Sequence, residues 1–213
     1  MNRIKVSYTG SDFEIDDFGN RVWQKAFELY LNSYWSGIAA ETERHAKAKL
    51  VWTEIALYIM FEGNQKEPLV VNSKPNTIEK AMFLWERDVF EIFVAPDSGK
   101  TERYFEFEVA PTGEWLDVEL EILPDGEYKS NFDYNSGMKT AAKIMNNKIL
   151  AAIKIEWQAF GKKPDEGEVW RGNLFRCIGA GETRGYLTWQ PTMTEKPNFH
   201  IPEAFGEFEF VKE

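Results

Sequence analysis

Apolar and polar residues alternate with a period of two along much of the chain. Arg103-Tyr104-Phe105-Glu106-Phe107-Glu108-Val109 sets Phe105, Phe107 and Val109 on one face of an extended segment and Glu106 and Glu108 on the other. Trp115 to Leu123 alternates in the same way through Leu116, Val118, Leu120 and Ile122. Strand character also predicts elements over 88–94, 149–157, 169–178, 186–189 and 206–211, and two strands in Ala48 to Phe61 around Trp52-Thr53-Glu54. Pro and Gly punctuate the intervals, as in Pro96-Asp97-Ser98-Gly99, Pro111-Thr112-Gly113 and Pro124-Asp125-Gly126. Two segments read either way. Ile38 to Leu50 is rich in Ala, Glu and Lys and suits a helix. Met138 to Ile155 also holds helix formers, but its β-branched Ile residues and flanking turns favour paired strands. Many short strands at regular spacing predict an all-β fold, a two-sheet β-sandwich of jelly-roll or immunoglobulin-like type with few short helices.

Length adds the domain count. The 213 residues contain no linker or internal repeat, so a single domain is expected over 1–213. Charge narrows the partners. The 25 basic and 35 acidic residues leave a net charge of −10, which disfavours phosphate backbones and anionic membrane surfaces but not a neutral sugar. No apolar stretch approaches the ~20 residues that cross a bilayer, so membrane insertion is not expected. Met1-Asn2-Arg3-Ile4-Lys5-Val6 lacks the apolar core of a signal peptide. The expectation is therefore a cytoplasmic protein, or a secreted one whose signal has been trimmed. Nothing in the chain sets an oligomeric state.

Catalytic signatures are scarce. With one cysteine, Cys177, and two histidines, His45 and His200, a His/Cys zinc site is nearly excluded. No Gly-x-Ser-x-Gly elbow or phosphate-binding loop is present, and Gly179-Ala180-Gly181 reads as a turn. Glu106 and Glu108 share a strand face. They read as a solvated sheet surface first, as sugar hydrogen-bonders second, and as a glycoside-hydrolase pair third. No cofactor is expected.

Aromatic residues change the picture, since 8 Trp, 8 Tyr and 16 Phe make up 15% of the chain. Trp23, Trp52, Trp157 and Trp170 read as core, while Trp115 and Trp189 adjoin loops. Trp85-Glu86-Arg87-Asp88-Val89-Phe90-Glu91-Ile92-Phe93 places a large ring at the mouth of a strand with carboxylates following it. Sugars have apolar C–H faces that stack on rings and hydroxyl rims that meet carboxylates. A second loop aromatic, Phe199, precedes the turn at Pro202 and could clamp a sugar from the other side.

These residues, in order, resemble the family 9 carbohydrate-binding modules and their stand-alone relatives. Asp17-Phe18-Gly19-Asn20 with Trp23 and Ala26 is similar to the family's opening turn, and Leu57-Tyr58-Ile59 to a Leu-Tyr-Val strand. Trp85 to Phe93 resembles the Trp-Glu-x-Asp-x-x-Glu-apolar-Phe motif, and Tyr104 to Val109 a Tyr-x-Glu-Phe strand. Trp170-Arg171-Gly172-Asn173-Leu174-Phe175-Arg176, Thr188-Trp189-Gln190-Pro191 and Phe199 to Gly206 resemble the closing motifs. The resemblance implies a non-catalytic β-sandwich, often associated with polysaccharide hydrolases. It would hold a glucan or xylan end, or a small saccharide, between Trp85 and Phe199, with Glu91 gripping hydroxyls. The family's sugar-gripping Arg falls at Glu108 and its Gln at Phe175; Arg176 is adjacent, although a one-residue shift points it to the other strand face, and Glu108 and Arg176 complete the expected carbohydrate-binding set. Some members hold a structural calcium, but no Asp-x-Asp-x-Asp loop marks one here. Two alternatives stay open: a haem-binding electron carrier using His200 and a Met, since related sandwiches hold haem, or an orphan domain that keeps the fold without a ligand.

Overall fold

The alternating runs form strands, and pairing between distant ones joins them into two packed layers. The computed structural model describes residues 2–212. Fourteen strands follow in chain order: β1 (Arg3–Tyr8), β2 (Glu28–Leu31), β3 (Ser33–Tyr34), β4 (Ala46–Trp52), β5 (Ala56–Asn64), β6 (Val89–Ala95) and β7 (Arg103–Val109), then β8 (Trp115–Ile122), β9 (Tyr128–Asn131), β10 (Lys139–Met145), β11 (Lys148–Glu156), β12 (Val169–Ile178), β13 (Gly185–Thr188) and β14 (Gly206–Val211). The described helices are single 3-10 turns. Neighbouring strands run in the order β10-β11-β5-β4-β1-β14-β12-β6-β7-β8-β9. β13 flanks β12, and β2 flanks β4. All pairings are antiparallel except those of β1, which runs parallel to both β4 and β14.

This ladder curls until its two arms face each other. Leu57, Ile59 and Phe61 of β5 and Ile149, Ala151, Ile153 and Ile155 of β11 pack against Phe90, Ile92, Val94, Phe105 and Phe107 of the other arm. Phe61 stacks on Phe90 with ring centroids 5.0 Å apart. The result is the expected sandwich. The four tryptophans read as core are buried. Three of them also satisfy their indole N–H groups: Trp52 Nε1 donates to the Val211 carbonyl (3.1 Å), Trp157 Nε1 to that of Thr53 (3.0 Å) and Trp170 Nε1 to Glu168 Oε1 (2.8 Å). The hydroxyl of Thr53 accepts from the backbone N–H groups of Ile55 and Ala56, both at 3.1 Å, and so shapes the turn between β4 and β5.

The ambiguous segments resolve as strands. Within Ile38 to Leu50 a 3-10 turn at Thr42–Arg44 leads directly into β4, so tertiary pairing overrides the helix-forming composition. Met138 to Ile155 supplies β10 and β11, a hairpin whose tip places Asn147 at φ +58°.

Strand parity divides β12 between two environments. Trp170, Leu174 and Ile178 face the core between the layers, whereas Phe175 and Cys177 face a second apolar cluster outside it. Arg176 is on the inner side. Its Nη1 donates to the Arg44 carbonyl (2.8 Å) and its Nη2 to Gln65 Oε1 (2.7 Å), and its guanidinium lies 5.1 Å from the centre of the Phe90 ring. Gly63 of β5 makes room for it, since a Cβ there would come within 2.7 Å of both Arg176 Nη1 and the Phe90 ring. Arg176 thus lies between the layers and not, as the expected site requires, on the outer face that carries Phe175 and Cys177.

Candidate functional site

The outer face of β12, β6, β7 and β8 is covered by loops and by β9, and a cleft of about 690 Å³ opens between them. Its floor comes from the strands: Glu91 and Phe93 of β6, Glu106 of β7, Val118 of β8 and Cys177 of β12. Its rim comes from the Trp85 turn, from Tyr128 and Phe132 at β9, from Arg184 and Tyr186, and from Asn198, Phe199 and His200.

Trp85 is half-buried on a 3-10 turn, Leu84–Glu86, that Phe83 opens in the left-handed region at φ +60°. Its ring sits 5.5 Å from Phe83 and 6.2 Å from Phe132. Arg184 fastens this turn to the neighbouring loop by donating to the carbonyls of Gly179 (2.7 Å), Trp85 and Arg87 (2.8 Å). Asp88 holds the same region by accepting from the N–H groups of Gly179 (2.8 Å) and Val70 (3.1 Å). Phe199 is set differently. It is 9% exposed and lies flat on Phe175, with centroids 4.0 Å apart and planes 11° apart, so one of its faces is already taken. Beside it His200 Nδ1 meets the Tyr104 hydroxyl at 2.8 Å, and its ring stacks on Tyr128 at 4.5 Å. Burial pushes the His200 imidazole down to about 4, so it is neutral near pH 7.

The carboxyls are the unusual element. Glu91 and Glu108 are cross-strand partners, and Glu106 is two residues along β7 from Glu108. All three are buried, at 2%, 0% and 6% exposure for Glu91, Glu108 and Glu106. The reading of Glu106 and Glu108 as a solvated face is therefore wrong, because the loops cover it. Cys177 Sγ donates to Glu91 Oε1 at 3.4 Å, a weak contact. No donor reaches either oxygen of Glu108, whose acidic neighbours are Glu91 and Glu106. Burial, reinforced for Glu91 and Glu108 by the neighbouring carboxyls, raises all three above the ordinary carboxylate range.

The sign of the linkage follows. Folded-state affinities for protons above the unfolded ones give stability that is fully present below the unfolded values, about 4.3 for Glu. That stability is lost as the pH rises through the raised folded values. Melting temperature is accordingly expected to fall between about pH 5 and about pH 9, and Glu108→Gln is expected to flatten the fall. Scanning calorimetry of both proteins checks this; parallel curves would refute it.

Of the residues singled out by sequence, Trp85, Glu91 and Phe199 line one cleft. Glu108 lies under the floor beside Glu91 without lining it, and Arg176 faces the opposite side of β12. Sequence reasoning offered Glu106 as a sugar hydrogen-bonder only as a second reading and left it out of the expected set, and it missed Arg184, Tyr186, Tyr128 and Phe132. Tyr128 of β9 and Phe132 just after it carry a signal of a kind, since large rings flank the polar run Lys129-Ser130-Asn131. Among the described residues no group of three or more His, Cys, Asp or Glu is disposed to hold a metal ion. His200 is engaged by Tyr104, and no Met lines the cleft, so the pair of axial ligands that a haem reading requires is not assembled there. None of the described helices is long and apolar enough to cross a membrane.

Comparison with known proteins places this architecture. A candidate carbohydrate-binding protein from Bacteroides uniformis ATCC 8492 superposes with a TM-score of 0.77 at 16% identity, covering 98% of each chain. A family 9 carbohydrate-binding module from Caldicellulosiruptor kristjanssonii in complex with cellotriose gives 0.68 at 17% identity, over 100% of this chain and 95% of that one. The module from the same organism in complex with glucose gives 0.66 at 18% identity, over 100% and 97%. No curated protein sequence shows significant similarity to the chain. At these identities the superpositions establish the fold alone. Residues 15–213, however, match the sequence pattern of the family described as carbohydrate family 9 binding domain-like, and the chain belongs to that family.

Proposed function

We propose that the cleft binds a saccharide without catalysing a reaction on it. The observation that carries this reading is one cleft lined by Trp85, Glu91 and Phe199, apolar rings beside a carboxyl at its floor. The rings take the C–H faces of a pyranose, and Glu91 accepts from its hydroxyls, a bond that favours the charged form of Glu91. Trp85, half-exposed, offers the larger stacking surface. Phe199, backed by Phe175, is a rigid wall and needs no reordering to bind. Similar modules in complex with glucose and cellotriose support the choice of ligand class.

The expected affinity is modest. A disaccharide has roughly 23 heavy atoms, and about 0.3 kcal/mol per atom gives about 7 kcal/mol, or micromolar at best. Calorimetric titration with glucose, cellobiose, cellotriose and xylobiose is expected to show saturable binding of at least one of them. Absence of binding to every neutral and amino sugar tried would overturn the proposal. Incubation with the corresponding polymers is expected to release no reducing sugar.

A further inference from the structure

The cleft floor presents carboxyls and no cation of its own. Glu91 and Glu106 line it, and Glu108 lies in register beside Glu91. The guanidinium in the lining, Arg184, is turned onto three backbone carbonyls. Among the described residues no other Lys or Arg lines the cleft. Glu106 accepts from no described N–H or alcohol hydroxyl, its polar neighbour being the Glu108 carboxyl, and its side chain is almost wholly buried against the cleft. An acceptor so placed is poised for a ligand group.

The walls favour the same kind of group. Trp85, Phe93, Tyr128, Phe132, Tyr186 and Phe199 all border the cleft, and the faces of aromatic rings attract cations. A neutral sugar satisfies the rings and leaves the crowded carboxyls without the cation that would favour their ionised form. A sugar carrying a positive charge satisfies both.

We propose that the preferred ligand of this cleft is an ammonium-bearing saccharide, a 2-amino-2-deoxy sugar such as glucosamine or its β-1,4-linked oligomer, with the ammonium held at Glu106 and Glu91. This rests on the saccharide reading above and narrows its ligand class. The three N–H donors of an ammonium match carboxyl oxygens that the protein leaves open. They form charge-assisted bonds in a site screened from salt by its own walls.

The test is a titration of the unmodified protein with glucosamine, N-acetylglucosamine, glucose and spermidine. Glucosamine is expected to bind at least about tenfold more tightly than glucose or N-acetylglucosamine, equivalent to about 1.4 kcal/mol. N-acetylglucosamine keeps a substituent at the same carbon but not its charge, so it separates charge from shape. Glu106→Gln is expected to bring the glucosamine-to-glucose ratio close to one, and Glu91→Gln provides a second reading should the first variant fold poorly. Glucose equal to or tighter than glucosamine would overturn the ammonium assignment and leave the saccharide reading standing. Spermidine as tight as glucosamine would overturn it too, by showing that charge alone suffices. Failure of every sugar to bind would remove the saccharide reading itself.

Discussion

Trp85→Ala is expected to weaken saccharide binding by about 1–3 kcal/mol, roughly 5- to 150-fold, which takes a micromolar ligand out of practical range. The figure is the cost of losing one stacking ring, carried over from aromatic stacking on nucleic-acid bases. The fold is expected to survive. The Trp85 side chain is half-exposed, and the contacts that hold its turn are made by backbone atoms: its own carbonyl and that of Arg87 to Arg184, and the Gly179 N–H to Asp88. Alanine keeps all of these. Titration calorimetry and a thermal melt on the same sample separate the outcomes. Unchanged affinity would refute the role assigned to the ring, while lost affinity together with a collapsed melt would show that the side chain acts through stability.

Arg176→Met is expected to show the reverse pattern. Methionine fills much of the volume but donates nothing. It leaves the Arg44 carbonyl and the Gln65 amide oxygen without the guanidinium that now reaches them in the interior. Stranding such acceptors costs about 1–3 kcal/mol each, so a loss of about 3 kcal/mol is reasonable. For a chain of this size that corresponds to a fall in melting temperature of about 6–12 °C. Arg176→Lys is not expected to rescue it, because a single ammonium cannot reproduce the planar fork that spans separate acceptors. Sugar affinity, measured well below the melt, should not change, since Arg176 is on the far side of β12 from the cleft. A loss of affinity in a folded variant would restore Arg176 to the binding site and contradict the placement derived from strand parity.

Much of the scaffold was legible in the chain because strand faces follow a local rule. β6, β7, β8, β12 and β14 announce themselves by alternation or by unbroken apolar runs between turn residues. β1 alternates too, with Ile4, Val6 and Tyr8 against Arg3, Lys5 and Ser7, yet its partners are distant and leave no local mark. β9 is short, polar and at the edge of its sheet, where burial imposes no pattern. Alternation also says which residues share a face without saying what covers that face. Glu106 and Glu108 were assignable to one side of β7, but their burial depends on loops as far along the chain as His200. The same limit explains the cleft. Trp85, Glu91 and Phe199 were reachable through a family resemblance, whereas Arg184 enters through tertiary proximity alone. Arg176 was the opposite case, since its parity against Phe175 already pointed it away from the cleft.

The parallel pairing of β1 has a consequence for how the chain reaches its native state. β1 bonds to β4 on one side and to β14 on the other, and Arg3 Nε donates to Glu207 Oε2 at 2.7 Å across this seam. β1 therefore waits for β14, which follows it in the chain, before its hydrogen bonds are complete. Hairpins such as β4–β5 and β10–β11 can zip as they leave the ribosome, but the seam that unites the two arms is made only when translation has passed Val211. Until then the open edges of β4 and β12 are available for misplaced pairing, and the acidic net charge of the chain helps keep such nascent copies apart.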